Sequence, residues 1–160
     1  MPYVFVYGPD SLQARMYDRL GACEAIGGAN VEGYALAFNK PDMKSDAGLP
    51  NLTKTAGSTA FGVLYDLTRK QIEMLEGYYG GYLREDVTAA LLPPREGEEI
   101  EPEVLARRPK APVTATAYIA RRIKSGLKPQ PEALALTKKG AEENGAPPAF
   151  IESIYKAVSK

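Results

Sequence analysis

Histidine and tryptophan are both absent from the 160 residues. Without histidine there can be no Ser-His-Asp or Cys-His catalysis and no histidine-based metal site. Proton transfer is left to Asp, Glu, Lys, Tyr or water. Cys23 is the single cysteine, which excludes an intrachain disulfide and a cysteine-clustered zinc site. Neither sign of charge is in excess, with 20 basic residues against 20 acidic. Nucleic acid and anionic membrane surfaces call for a basic field, so neither is expected as a partner. No apolar run approaches the roughly 18 residues of a membrane span. The start, MPYVFVYGPD, has no basic region and no cleavage-like small-residue site, so a cytosolic, cytoplasmic protein is expected. No G-x-G-x-x-G or G-K-[ST] run occurs, so dinucleotide and P-loop phosphate sites are not expected.

The chain has the length of one domain, 1–160, and at 44% hydrophobic it can bury a core. Tyr3 to Tyr7 is aromatic and β-branched and reads as a buried strand. Gly8-Pro9 stops it, Asp10 and Ser11 are N-cap types, and a helix is predicted from Leu12 to Leu20 with Gly21 as its stop. Ala25 to Phe38 reads as strand and Asn39 to Pro50 as a loop of about a dozen residues. Asn51 to Thr55 and Ala60 to Leu67 read as two further strands. Thr68-Arg69-Lys70-Gln71 is a capping box that opens a short helix ended by Gly77. Tyr82 to Leu92 and Val113 to Ala120 read as strands on either side of an exposed Pro- and Glu-rich excursion, Pro93 to Pro112. Helices are predicted from Pro131 to about Asn144 and from Ala149 to Val158. The order is α+β rather than regular βαβ alternation. It suggests a small mixed β-barrel or curled sheet with flanking helices.

Three groups of residues can carry chemistry. Tyr7-Gly8-Pro9-Asp10-Ser11-Leu12 is a strand-to-helix turn whose backbone N–H groups and helix dipole suit an anion; an ordinary turn has the same form. Glu76 falls at the predicted end of its helix, where the dipole opposes negative charge. Glu73 lies three residues before it on the same face. Both effects, with burial, would raise the carboxyl pKa towards a value suited to acid-base work; a solvated surface glutamate is the plain alternative. Tyr78, Tyr79, Tyr82 and Tyr118 belong to a set of ten tyrosines. Their hydroxyls can fix a small polar ligand, or the rings can simply pack.

Three segments together resemble the γ-glutamylcyclotransferase-like family, in particular its cytosolic branch. Tyr3-Val4-Phe5-Val6-Tyr7-Gly8 is similar to that family's tyrosine-glycine substrate loop. Leu75-Glu76-Gly77 followed by Tyr82 is similar to its acidic helix end. Gly140-Ala141-Glu142-Glu143-Asn144-Gly145-Ala146-Pro147 is similar to a C-terminal segment of the cytosolic branch. The resemblance covers most of the chain. It implies a small mixed β-barrel and closure of a γ-glutamyl amino acid or amine to 5-oxoproline, as in glutathione metabolism. It implies Glu76 as general acid/base, no metal and no organic cofactor. It also implies a substrate site of Tyr7, Gly8, Pro9, Asp10, Ser11 and Leu12, walled by Tyr82 and Tyr118.

The chain departs from the family pattern at this loop, which usually reads tyrosine, glycine, serine, asparagine, leucine. Here Pro9 removes a backbone donor. Asp10 brings a negative charge that would repel a carboxylate and favour an ammonium group. One alternative therefore keeps the fold and drops catalysis, leaving a pocket for a small polar ligand or a partner protein. Another releases γ-glutamyl groups from an amine or a carrier-bound intermediate. The apolar terminal helix, Phe150 to Val158, is suited either to capping a monomer core or to meeting a second subunit in a homodimer.

Overall fold

A computed structural model describes residues 2–94 and 97–156. Five strands close into a barrel in the order β1-β3-β2-β4-β5. They are β1 (Tyr3–Val6), β2 (Glu24–Pro41), β3 (Gly48–Asp66), β4 (Leu83–Leu91) and β5 (Val113–Ile119). All neighbours are antiparallel except β1 and β5, which run parallel at Val4 and Thr116. The fold is thus the expected α+β mixed barrel. Five helices flank it: α1 (Gln13–Leu20), α2 (Arg69–Glu76), α3 (Pro102–Arg107), α4 (Pro131–Glu143) and α5 (Pro148–Lys156).

The period-two alternation of β1 sorts its side chains to two cores. Phe5 belongs with Ile26, Val31, Leu52, Leu64 and Val87 in the barrel interior. Val4 and Val6 face the other way, into a layer with Met16 and Leu20 of α1 and Leu75 of α2. A third cluster, around Phe61, Ala141 and Ile154, seats α4 and α5. The Phe61 and Phe150 rings meet there with centroids 5.5 Å apart.

Two expectations need correction. Half of the predicted loop from Asn39 to Pro50 is strand, because Lys40 pairs with Leu49 and Pro41 with Gly48, leaving residues 42–47 as connection. The separate strands predicted at Asn51–Thr55 and Ala60–Leu67 are one strand. Its register shifts between Glu32/Thr59 and Tyr34/Lys54, so that residues 55–58 are unpaired opposite a left-handed Gly33 (φ 86°). The excursion from Pro93 to Pro112 contains α3, which Arg107 pins to the barrel through Glu24 and Asp66. The Thr68 capping box is formed as predicted, with both reciprocal bonds present. The predicted end of the last helix, at Val158, lies outside the described residues.

Candidate active site

The strand-to-helix junction after β1 is a short 3-10 helical turn, Gly8–Ser11, with Gly8 at φ 66°. Gly8 is required there twice over. Its φ is left-handed, and a Cβ would lie 3.0 Å from Cβ of Pro50. Asp10 and Ser11 do not cap α1 as the sequence suggested. The cap position is Leu12, which makes no side-chain cap bond. The N–H of Gln13 is instead satisfied by Oε2 of Glu143 at 3.0 Å. Leu12 N–H is spent on the carbonyl of Pro9, and Pro9 has no N–H to offer.

The turn is buttressed from behind by the segment Gly140 to Pro147. At Gly140, α4 passes so close to the turn that a Cβ would meet Leu12 N at 2.6 Å and Ser11 C at 2.8 Å. Asn144 Nδ2 donates to the Ser11 carbonyl at 2.8 Å. Two of the sequence segments singled out above are therefore one structural unit: the C-terminal segment shapes the turn.

A cavity of about 280 Å³ opens beside the turn. Its lining includes Tyr7, Pro9 and Asp10, then Tyr78, Tyr79 and Tyr82, and Gln130 with Glu132, Ala133 and Leu136 of α4. Arg15 and Arg19 of α1 also line it, and sequence analysis missed both. Asp10 is buried and holds the two arginines. Arg15 Nε reaches Oδ1 at 3.2 Å and Arg19 Nη1 reaches Oδ2 at 2.6 Å. The hydroxyl of Tyr79 donates to the same Oδ2. Arg19 also lies over the Tyr78 ring, 4.8 Å from its centroid.

Of the expected site residues, Tyr7, Pro9, Asp10 and Tyr82 line the cavity; Gly8, Ser11 and Leu12 form its supporting turn; Tyr118 and Glu76 stand behind the tyrosine wall. Tyr118 stacks on Tyr79 at 4.9 Å and is buried. Its hydroxyl donates to Glu76 Oε2 at 2.8 Å, and its carbonyl accepts the Tyr7 hydroxyl. Tyr82 donates to the Pro50 carbonyl at 2.6 Å. Burial is the main cause raising all four phenols, Tyr7, Tyr79, Tyr82 and Tyr118, so each is a protonated donor at neutral pH.

Glu76 does not have the raised pKa expected from its helix end. Its carboxyl is held below the usual value, first by the hydrogen bond from Arg84 Nε and then, against a modest desolvation, by the Tyr118 hydroxyl. Position 84, at the start of β4, lies beside the helix end, and its guanidinium is the largest influence on the carboxyl. Both donors sit on Oε2, which leaves Oε1 as the less encumbered oxygen. Among the described residues, no group of three or more His, Cys, Asp or Glu side chains is placed to hold a metal, and no helix is long and apolar enough to cross a membrane.

No family model matches the chain, and no curated protein matches its sequence. Solved structures do match. One named gamma-glutamyl cyclotransferase superposes with a TM-score of 0.78 at 20% identity, over 96% of this chain and 86% of that one. An uncharacterized Homo sapiens protein gives 0.77 at 21% identity, over 96% and 85%. A yeast protein named as a glutathione-specific gamma-glutamyl cyclotransferase gives 0.63 at 16%, over 99% and 95%. The chain therefore has the γ-glutamylcyclotransferase-like fold.

Proposed function

We propose that this chain is a γ-glutamylcyclotransferase. It would close a γ-glutamyl amino acid or γ-glutamylamine to 5-oxoproline, with Glu76 as the proton carrier. One observation supports this most. Glu76, Tyr118, Tyr79 and the Tyr7–Asp10 turn, contributed by distant parts of the chain, join in one system of hydrogen bonds and stacked rings at the edge of a single cavity.

In the reaction the substrate's α-ammonium gives a proton to Glu76, and the freed amine attacks the γ-carbonyl carbon. The new C–N bond closes the lactam. The bond to the leaving nitrogen breaks as Glu76 passes that proton to it, and the second surplus proton of the ring nitrogen follows to the departing amine, which leaves as an ammonium. No water is consumed. Because the attack is intramolecular, the protein's main task is to hold a folded conformer, a contribution of roughly 7–11 kcal/mol in favourable cases. The lowered pKa of Glu76 keeps it ionised and able to accept a proton at neutral pH. It also makes Glu76 a weak base while Arg84 is bound, so catalysis requires Arg84 to loosen as substrate enters. The Arg84 side chain is 60% exposed and has room to do so.

A second reading keeps the cavity and drops the chemistry. It is favoured by Glu76 lying outside the cavity lining while the buried Asp10 carboxylate lies within it. Wild-type protein incubated with a panel of γ-glutamyl dipeptides and γ-glutamylamines separates the two. Release of 5-oxoproline with a stoichiometric amine supports the enzyme; ligand binding with no product from folded protein supports the binding module.

A further inference from the structure

The turn after β1 has fewer backbone donors to offer an anion than a strand-to-helix turn without proline. Pro9 has no N–H, the N–H of Leu12 is bonded within the turn, and the side chain of Asp10 is an anion itself. Yet the same side of the cavity carries two guanidinium groups against that one carboxylate, a local excess of one positive charge. Asp10 engages only Nε of Arg15 and Nη1 of Arg19. Both Nη atoms of Arg15, and Nη2 of Arg19, remain as donors on a cavity-lining fork whose orientation is fixed. Tyr79 donates to the same carboxylate, and the Tyr78 ring supports the Arg19 plane.

We infer that Arg15 and Arg19, oriented by Asp10, form the site for the α-carboxylate of the ligand. This rests on the γ-glutamyl reading above and specifies how its head group is held. Asp10 is then a positioning residue: it fixes the arginines rather than meeting the substrate's charge. Glu132, in the first turn of α4, is the remaining charged lining residue. The lining thus carries two cations that a carboxylate can meet. Guanidinium forks suit carboxylates in particular, through paired N–H donors.

The test is calorimetric. The probes are γ-glutamylalanine and the same dipeptide with its glutamyl α-carboxylate converted to a carboxamide. Both are titrated into the Glu76→Gln variant to suppress turnover, with and without Arg15→Gln. Arg15 is a third exposed, and Asp10 keeps Arg19 and Tyr79 when it is replaced, so folding is expected to survive; a melting curve checks this. Losing a hydrogen bond to a charged group is expected to weaken the carboxylate ligand by about tenfold or more and to leave the carboxamide ligand within about twofold. Equal losses for both probes, or no loss for either, overturn the inference. The inert pair 5-oxoproline and 5-oxoprolinamide, titrated into protein with Glu76 intact, repeats the comparison should Glu76→Gln fold poorly. A chain that discriminates the probes through Arg15 but releases no 5-oxoproline contradicts the enzyme reading and not this one.

Discussion

Replacing Gly140 with alanine sets two physical effects against each other. In an exposed helix the change would stabilise, because alanine exceeds glycine in helix propensity by about 1 kcal/mol. Here the added Cβ would lie 2.6 Å from Leu12 N, 2.8 Å from Ser11 C and 2.9 Å from Ser11 Cβ, whereas ordinary contact begins near 3.4 Å. Relief requires a separation of about 0.8 Å between α4 and the turn. The nearest atoms are backbone, so no flexible side chain can yield. The Asn144 bond to the Ser11 carbonyl also resists the separation. Overpacking of this kind costs about 1–3 kcal/mol, and backbone atoms put it near the upper end. The net expectation is a loss of about 2 kcal/mol, which lowers Tm by about 4–8 °C for a chain of this size. Thermal melting and urea unfolding measure it. Because the turn shapes the cavity, the variant should also bind γ-glutamyl ligands less tightly. A Gly140→Ala protein more stable than wild type would refute the claim that α4 is docked at this distance on the turn.

Two further substitutions probe the barrel and the carboxylate. Asn51 is buried and satisfies both the N–H and the carbonyl of Ala120 at 2.8 and 3.1 Å. Asn51→Ala strands those groups and should cost about 2–4 kcal/mol in urea unfolding; a loss under about 0.5 kcal/mol would contradict the burial argument. Arg84→Gln removes the largest influence lowering the Glu76 pKa, so the acidic limb of the kcat/KM profile should move to higher pH, with Arg84→Lys restoring part of the shift. The sign for stability follows. A depressed folded-state pKa gives stabilisation that is present above the unfolded value and lost as pH falls through the folded one. The Arg84→Gln variant should therefore lose less stability on acidification than wild type.

Local signals in the sequence were sufficient where local forces decide the structure. The alternation in Tyr3 to Tyr7, the Thr68–Gln71 box and the Pro131 helix start all depend on near neighbours, and each element formed within a residue or two of expectation. The β2–β3 hairpin differs from expectation because its arms run on through Lys40 and Pro41, residues that ordinarily mark loops but here pair along a ladder, with Pro50 at a register shift. At the site, the role of Asp10 was hidden because its partners are Arg15 and Arg19, five and nine residues on, across the junction of a 3-10 turn and an α-helix. That spacing matches no helical rule. A pair of arginines four apart, directly after an acidic turn, was the available signal. Glu76 was legible by position, but the influence of Arg84 was not, since it depends on how β4 leaves the helix end.

The role proposed for Glu76 is to move the proton in an intramolecular ring closure. Its most direct test is the rate of 5-oxoproline formation by Glu76→Gln against wild type, at saturating γ-glutamyl substrate, with ligand affinity measured alongside. The variant's kcat should fall by about 10²–10⁴-fold with affinity largely kept. A variant that retains full turnover would contradict it.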